Sequence, residues 1–272
     1  MKLTMEKAQA LLATTTDEEH LIVHAFNVRG SMEAFARHFD QPPEEVEHWG
    51  AVGYLHDYDY QRFPSEHLAH TEVELRAEGV EEADIRAILS HGWMLVNDVT
   101  PQTDLEKSLY CADELSGLVW ATALMRPSGI SDLEPRSVVK KFKDKNFAAK
   151  CSRDVIRRSV ELLGLELAEA IAICIDGMRP YAEKTGLLPR PAADSEKHHL
   201  TQQERENMTI KYQGKETETS AANVAAFLEE NGVAANEAVI ELDGEIVAAN
   251  AAAGTLLHNG AELNAFRIVS GG

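Results

Sequence analysis

Basic residues are scarce in this chain of 272 residues, where 26 lysines and arginines stand against 45 aspartates and glutamates. The formal net charge of −19 makes the surface repel nucleic acid and anionic lipid, because both are themselves negatively charged. The sequence therefore argues against a protein that binds duplex nucleic acid or a membrane. One basic segment, residues 140–150 (KKFKDKNFAAK), is interpreted as a solvated helix face, with phosphate binding as the alternative.

Cysteines and long apolar runs are also few. The three cysteines, Cys111, Cys151 and Cys174, are far apart and form no CxxC pair, which argues against a disulfide framework and favours a reducing compartment. The first twenty residues are too polar for a signal peptide, and no apolar run is long enough to predict a membrane span. We therefore expect a cytoplasmic protein.

Helical periodicity dominates residues 1–188, where apolar side chains recur every three or four residues. Asp17, Ser31, Asp104 and Ser152 are suitable N-cap residues, and several glycines stand where helices would end. Little in this region alternates as a strand would. The pattern predicts an all-α helical domain.

The pattern changes after a polar segment with two prolines, residues 189–207, which we interpret as a linker. Residues 208–272 contain two alternating segments, folded back at Gln213-Gly214 and at Asp243-Gly244, with a helical segment between them. A last apolar strand precedes the final two glycines. This order predicts a small α+β domain.

Histidines are concentrated in the first third of the chain: eight of the eleven lie before residue 92. Several of them, and two aspartates, stand at helix ends or within amphipathic helices, so several helices could direct them to one point. Imidazole and carboxylate together suit divalent Mn, Fe, Co, Ni or Zn, as one or two ions that lower the pKa of bound water. The candidate ligands are His24, His56, Asp57, His70, His91 and Asp113.

The other histidines of this region have supporting or surface roles in our interpretation. These are His20, His38, His48 and His67, of which His67 is closest in sequence to a candidate ligand. Asp59 has two alternatives: it orients a ligand imidazole or a water molecule, or it caps the turn that follows it.

The order His24, His56-Asp57, Asp113 resembles the HD-domain superfamily of metal-dependent phosphohydrolases. The segments YLHDYDYQRFP, HLAHTEVELRAEG and AILSHG are similar to its HDIG-type subgroup, although Tyr58-Asp59 replaces the Ile-Gly of that name. The resemblance covers about residues 17–185. It implies a helical fold that hydrolyses a nucleotide or another small phosphorylated substrate. We expect Asp57 and Asp59 to be the catalytic carboxylates. It also implies core metal ligands His24, His56, Asp57 and Asp113, with His70 and His91 completing a second metal position.

Residues 208–272 resemble the ubiquitin-like sulfur carriers of the thiamine and molybdopterin pathways, which have a β-grasp fold. The similar segments are MTIKYQGKETE, ANVAAFLEENGV, VIELDGEIV and Gly271-Gly272. The chain departs from the family at Ala261, where an aspartate is usual. In that family an activating enzyme adenylates the last glycine before sulfur is added. This implies that Gly272 is the reactive end and that Gly271 is the narrow segment leading to it.

The sequence thus predicts a metal-dependent phosphohydrolase with an appended sulfur-carrier-like domain. Two alternatives remain open at this point. The protein could be a non-catalytic carrier or interaction protein whose helical part senses a metal or a nucleotide. The helical part could also hold a pair of irons and oxidise its substrate, as some proteins of this fold do.

Overall fold

The computed structural model describes residues 2–189, 208–249 and 251–267. The predicted linker, apart from Pro189, and Gly271-Gly272 lie outside these residues. The first described range is helical, as the sequence predicts. Its α-helices are α1 Met5–Leu12, α2 Glu19–His38, α3 Pro43–Leu55, α4 Thr71–Ala77, α5 Glu82–Ser90, α6 Asp104–Leu124, α7 Pro135–Phe142, α8 Arg153–Leu163 and α9 Leu167–Met178.

Helix α6 lies at the centre of the helical domain. Every residue from Ser108 to Leu124 is buried, and helices α2, α5, α7, α8 and α9 pack around it. A helix that is apolar or small on all sides is expected in such a position, because no face of it needs to meet water. Any polar group on α6 is therefore held in the interior.

The helix boundaries test the predicted N-caps. Ser152 caps α8 as predicted, with its side chain accepting from the backbone N–H of Val155. Helix α6 begins one residue earlier than predicted, because Thr103 forms a capping box with Glu106. The expectation for Ser31 is wrong: this residue is buried inside α2 and its hydroxyl donates to the Asn27 carbonyl.

Glycines bring α2 and α9 into unusually close contact. A Cβ placed on Gly30 would collide with the backbone oxygen of Gly177, and a Cβ on Gly177 would collide with the oxygen of Gly30. The Gly30-Ser31 pair therefore permits a helix crossing and does not begin a new helix. This crossing fixes α2, the helix that carries His24.

We predict that Gly30→Ala lowers the free energy of unfolding by about 1–3 kcal/mol, because the added methyl group forces the two helices apart. The matched control is Gly254→Ala, since no atom lies within 4 Å of the Cβ that it would add. Denaturant unfolding of both variants measures the effect. An unchanged Gly30→Ala protein would contradict the close packing.

The second part of the chain forms a small α+β unit, in agreement with the predicted fold class. Its mixed sheet has the strand order β2-β1-β5-β3-β4, in which β1 and β5 are parallel and the other neighbours antiparallel. Both predicted hairpins are confirmed. The elements are β1 Met208–Tyr212, β2 Lys215–Thr219, α10 Val224–Glu230, β3 Ala238–Leu242, β4 Glu245–Val247 and β5 Glu262–Arg267.

Contacts join the two parts near the end of β5. The ring of Phe266 packs edge-on against Trp120 of α6, with ring centroids 6.1 Å apart. Val239 of β3 belongs to the same apolar core as the helices, and Lys150 pairs with Glu237 at 3.4 Å. The end of β5 is thereby held against α6.

Among the described residues, no helix is both long and apolar enough to cross a membrane.

A histidine–carboxylate pair supports the β3–β4 turn. His258 Nε2 donates to Asp243 Oδ2 at 2.6 Å, and Asp243 Oδ1 accepts the backbone N–H of Glu262 at 2.8 Å. Burial lowers the pKa of His258, but the bond to Asp243, the contact with the Asn259 carbonyl and the charge of Asp243 together outweigh burial and raise the pKa above the ordinary 6.5. The protonated ring is therefore favoured in the folded state.

Because the pKa of His258 is higher in the folded state than the ordinary 6.5, its protonation stabilises the fold below pH 6.5. This stabilisation is lost as the pH rises through the folded-state pKa. The contribution is below about 1 kcal/mol, because both side chains are more than one third exposed. We predict that Asp243→Asn lowers the pKa of His258 in an NMR titration of its ring, while keeping the bond to Glu262. An unchanged pKa would show that the pair does not control His258.

Candidate metal centre

Four histidines and two aspartates meet in the interior of the helical domain. They come from the middle of α2, the end of α3, the turn before α4, the end of α5 and the middle of α6. Each is at most 7% exposed. The six residues are His24, His56, Asp57, His67, His91 and Asp113, and we call them the His/Asp cluster.

Asp57 stands between two pairs of imidazoles. Its Oδ2 atom lies 3.7 Å from His24 Nε2 and 3.3 Å from His56 Nε2. Its Oδ1 atom lies 3.3 Å from His67 Nε2 and 3.6 Å from His91 Nε2. Each carboxylate oxygen therefore faces one pair of histidines, which is the arrangement of a carboxylate that bridges two ions.

The nitrogens within each pair are also close. The Nε2 atoms of His24 and His56 are 3.2 Å apart, and those of His67 and His91 are 3.0 Å apart. Asp113 joins the first pair, with Oδ1 3.0 Å from His24 Nε2 and 3.5 Å from His56 Nε2. All four imidazoles thus present the same ring nitrogen to the cluster.

The opposite ring nitrogens explain this orientation. His56 Nδ1 is 2.7 Å from the Gly53 carbonyl, and His91 Nδ1 is 2.6 Å from the Ile88 carbonyl. A carbonyl oxygen only accepts, so Nδ1 must donate and carry the proton. In the neutral ring Nε2 is then a lone pair directed into the cluster, as in histidines that bind metals.

The donor set fits a divalent cation. His67 Nδ1 lies 2.9 Å from Asp59 Oδ1, so in the neutral ring Nδ1 carries the proton. The facing Nε2 atoms of His67 and His91 then both carry a lone pair. Two lone pairs at this distance repel each other unless one nitrogen is protonated or both bind a cation. Both oxygens of Asp57 are buried and accept no hydrogen bond within the described part of the chain. The cluster could therefore hold metal.

The charges within the cluster lead to the same requirement. Burial raises the pKa of Asp57, but the combined interactions with His56, His91 and His67 outweigh burial and hold the pKa well below its usual range. Burial lowers the pKa of His56, yet Asp57 and Asp113 raise it to about 10. Without metal, a proton on His56 balances the buried carboxylates. A divalent ion would replace that proton with a larger charge.

Three overlapping groups within the cluster have ligand atoms close enough to share one ion, all within 4.8 Å of one another. Mixed imidazole and carboxylate ligands suit divalent transition metals. The groups are His24 with His56 and Asp57, His56 with His91 and Asp113, and Asp57 with His67 and His91.

The structure brings together five of the six residues proposed as ligands from the sequence, but it does not bring His70. The His70 ring stacks on Phe63 with centroids 4.0 Å apart, and its Nε2 lies 2.8 Å from Glu66 Oε2. Its side chain is 38% exposed. His70 therefore lies outside the His/Asp cluster, contrary to the expectation that it completes a second metal position.

His67 takes the position expected of His70. The surface or supporting role expected for His67 does not fit the structure, because the residue is buried and contacts both Asp57 and His91. The next residue, Leu68, has a φ of 66°, a strained value for a bulky side chain and one that occurs at functional sites. The turn that contains both residues directs His67 inwards.

Asp59 supports this turn and does not face the imidazole pairs. Its Oδ1 accepts from His67 Nδ1 and from the backbone N–H of Leu68 at 3.0 Å, and its Oδ2 accepts from the N–H of His70 at 3.3 Å. Asp59 thus orients His67 and caps the turn, both of which the sequence allows. It is a positioning residue, in contrast to the catalytic role expected for it.

The sequence contains a weak signal for His67. His67 precedes the apolar Leu68, whereas His70 precedes Thr71 and Glu72 at the polar start of helix α4. Periodicity could not separate the two histidines, because residues 56–70 form turns and a single short 3₁₀ segment.

Comparison of the chain with protein-family models, curated proteins and solved structures finds no match.

We predict that His67→Gln reduces the number of metal ions bound per chain, whereas the matched variant His70→Gln retains the wild-type number. Glutamine lacks the imidazole nitrogen that faces His91, and His70 has no contact with the cluster. Elemental analysis of both purified proteins measures the ratio, with circular dichroism to confirm folding. Loss of metal only in His70→Gln would support the ligand set expected from the sequence.

Proposed function

We propose that this chain is a metal-dependent hydrolase of phosphate esters, acting on a nucleotide or another small phosphorylated metabolite. The observation that carries the proposal is the position of Asp57, whose two oxygens face separate histidine pairs. Two ions bridged by a carboxylate form the clamp that many phosphoesterases use. The resemblance of the helical part to HD-domain phosphohydrolases supports the same reaction.

The residues of the His/Asp cluster would have different roles in holding the two ions. His24, His56 and Asp113 would hold one ion, His67 and His91 the other, and Asp57 would contact both. The metals, when bound, would supply positive charge for the phosphoryl oxygens and would lower the pKa of a bound water molecule to about 7. Asp59 holds the His67 ring in place, and the carbonyls of Gly53 and Ile88 fix the protons of His56 and His91 on Nδ1.

We predict that Asp57→Asn lowers phosphatase activity by about a hundredfold or more, because an amide can neither bridge two cations nor balance their charge. The matched control is Asp98→Asn, which removes one exposed carboxylate outside the cluster and should leave activity unchanged. The assay uses purified protein with Mn²⁺ or Co²⁺ and a panel of phosphomonoesters and nucleotides.

Metal-dependent activity that Asp57→Asn abolishes would support the proposal. A protein that hydrolyses no member of the panel with any of these metals would contradict it. Metal analysis and spectroscopy on protein purified without oxygen cover the redox alternative, because a bound pair of irons with no phosphatase activity would favour oxidation of the substrate.

A second function is proposed for the C-terminal part: it carries sulfur on Gly272 after activation by an adenylating partner enzyme. The strand order β2-β1-β5-β3-β4, with β1 parallel to β5, is compatible with the β-grasp fold of the sulfur carriers that this part resembles. Gly271 and Gly272 lie outside the described residues. Intact-mass spectrometry of the protein from cells tests this function. The mass should show replacement of one oxygen by sulfur, and deletion of Gly272 should abolish the change.

A further inference from the structure

A small cavity lies directly beside the His/Asp cluster. Its volume is about 10 Å³, roughly the space of one water molecule. Residues of α2 and α6 form most of its wall, His24 among them, and the wall is completed by Arg267 at the end of β5. The cavity that reaches a proposed metal ligand is thus built partly from the second domain.

Asn27 marks this small cavity as a polar binding position. Asn27 lines the cavity, is 2% exposed, and its Oδ1 atom has no hydrogen-bond partner within the described residues. A buried acceptor without a donor is costly, and such groups are normally satisfied by water or by a bound ligand. Asn27 is one α2 turn from His24, so both face the same space.

A larger cavity adjoins the small one and lies between the two domains. Its volume is about 500 Å³, within the range of small-molecule binding sites. The helical domain forms one wall, and Tyr212 and Phe266 belong to the other. Four residues line both cavities, which are His20, Val23, Trp120 and Arg267.

Arg267 provides positive charge at the junction of the cavities. One of its guanidinium nitrogens donates to the Gly232 carbonyl at 3.2 Å, and no carboxylate pairs with it among the described residues. Burial lowers the pKa of His20 beside it; the charge of Glu18 opposes this effect and the positive charge of Arg267 adds to it. An arginine is well suited to a phosphoryl group, which it binds through parallel hydrogen bonds.

We propose that the C-terminal domain completes the substrate site, and that Arg267 contacts the phosphoryl group of a substrate entering between the two domains. This inference rests on the phosphohydrolase function proposed above. It assigns the small domain a part in the hydrolytic site that is separate from any role in carrying sulfur. The charge of Arg267 acts locally against the repulsion of a phosphorylated molecule by the acidic chain and by Glu18, Glu19 and Glu183, which line the same cavity.

The test uses the full-length, metal-loaded protein and inorganic phosphate, titrated by calorimetry at constant ionic strength. We expect Arg267→Gln to weaken phosphate binding about tenfold, since a charge-assisted contact is lost, and Arg267→Lys to weaken it less. The matched control is Lys215→Gln, which removes the same charge from an exposed residue that lines neither cavity. Arg267→Gln should also raise KM for a phosphomonoester while kcat and metal content change little.

The outcomes separate the two proposals. Wild-type protein that binds phosphate, together with an Arg267→Gln variant that binds it equally well, would overturn the role of Arg267 alone. Equal weakening in Lys215→Gln would also overturn it, because the effect would then come from overall charge. Wild-type protein that neither binds phosphate nor hydrolyses a phosphate ester would overturn the phosphohydrolase function itself.

Discussion

The helical domain is organised around two carboxylates and four imidazoles that are buried together. Moving a carboxylate out of water costs several kcal/mol, so Asp57 and Asp113 are tolerated in the interior only beside a compensating positive charge. The imidazoles are directed towards them by bonds on the far side of each ring, from His56 to Gly53 and from His91 to Ile88. A cation at the centre would satisfy both the carboxylates and the facing nitrogen lone pairs.

The surrounding helices hold these side chains at fixed distances. Helix α6 is buried along most of its length, so Asp113 is placed at the centre of the domain. Helix α2 lies against α9 at the contact of Gly30 with Gly177, a crossing that only residues without a Cβ permit. Because α2 carries His24 and Asn27, the same contact places both a proposed ligand and the wall of the small cavity. Packing far from the cluster therefore determines its geometry.

Much of the fold was predictable because its signals are local. Alternation around Gln213-Gly214 and Asp243-Gly244 predicts the two hairpins, since both turns need positive φ values that these residues accept. Ser152 was identified as a cap from its position before an amphipathic helix. Ser31 was misjudged because a Gly-Ser pair has the same local pattern whether it begins a new helix or permits a helix crossing. Only the neighbouring helix distinguishes the two cases.

The sequence by itself determined the helical and α+β parts, and it identified His24, His56, Asp57, His91 and Asp113 as residues that belong together. Tertiary structure decided that His67 joins them and that His70 does not. It also decided that Asp59 supports a turn and that Arg267 lies near His24 although 243 positions separate them in the chain. The physical reason is that periodicity reports which side of a helix is buried, whereas the direction of a side chain in a turn depends on hydrogen bonds and packing between distant segments.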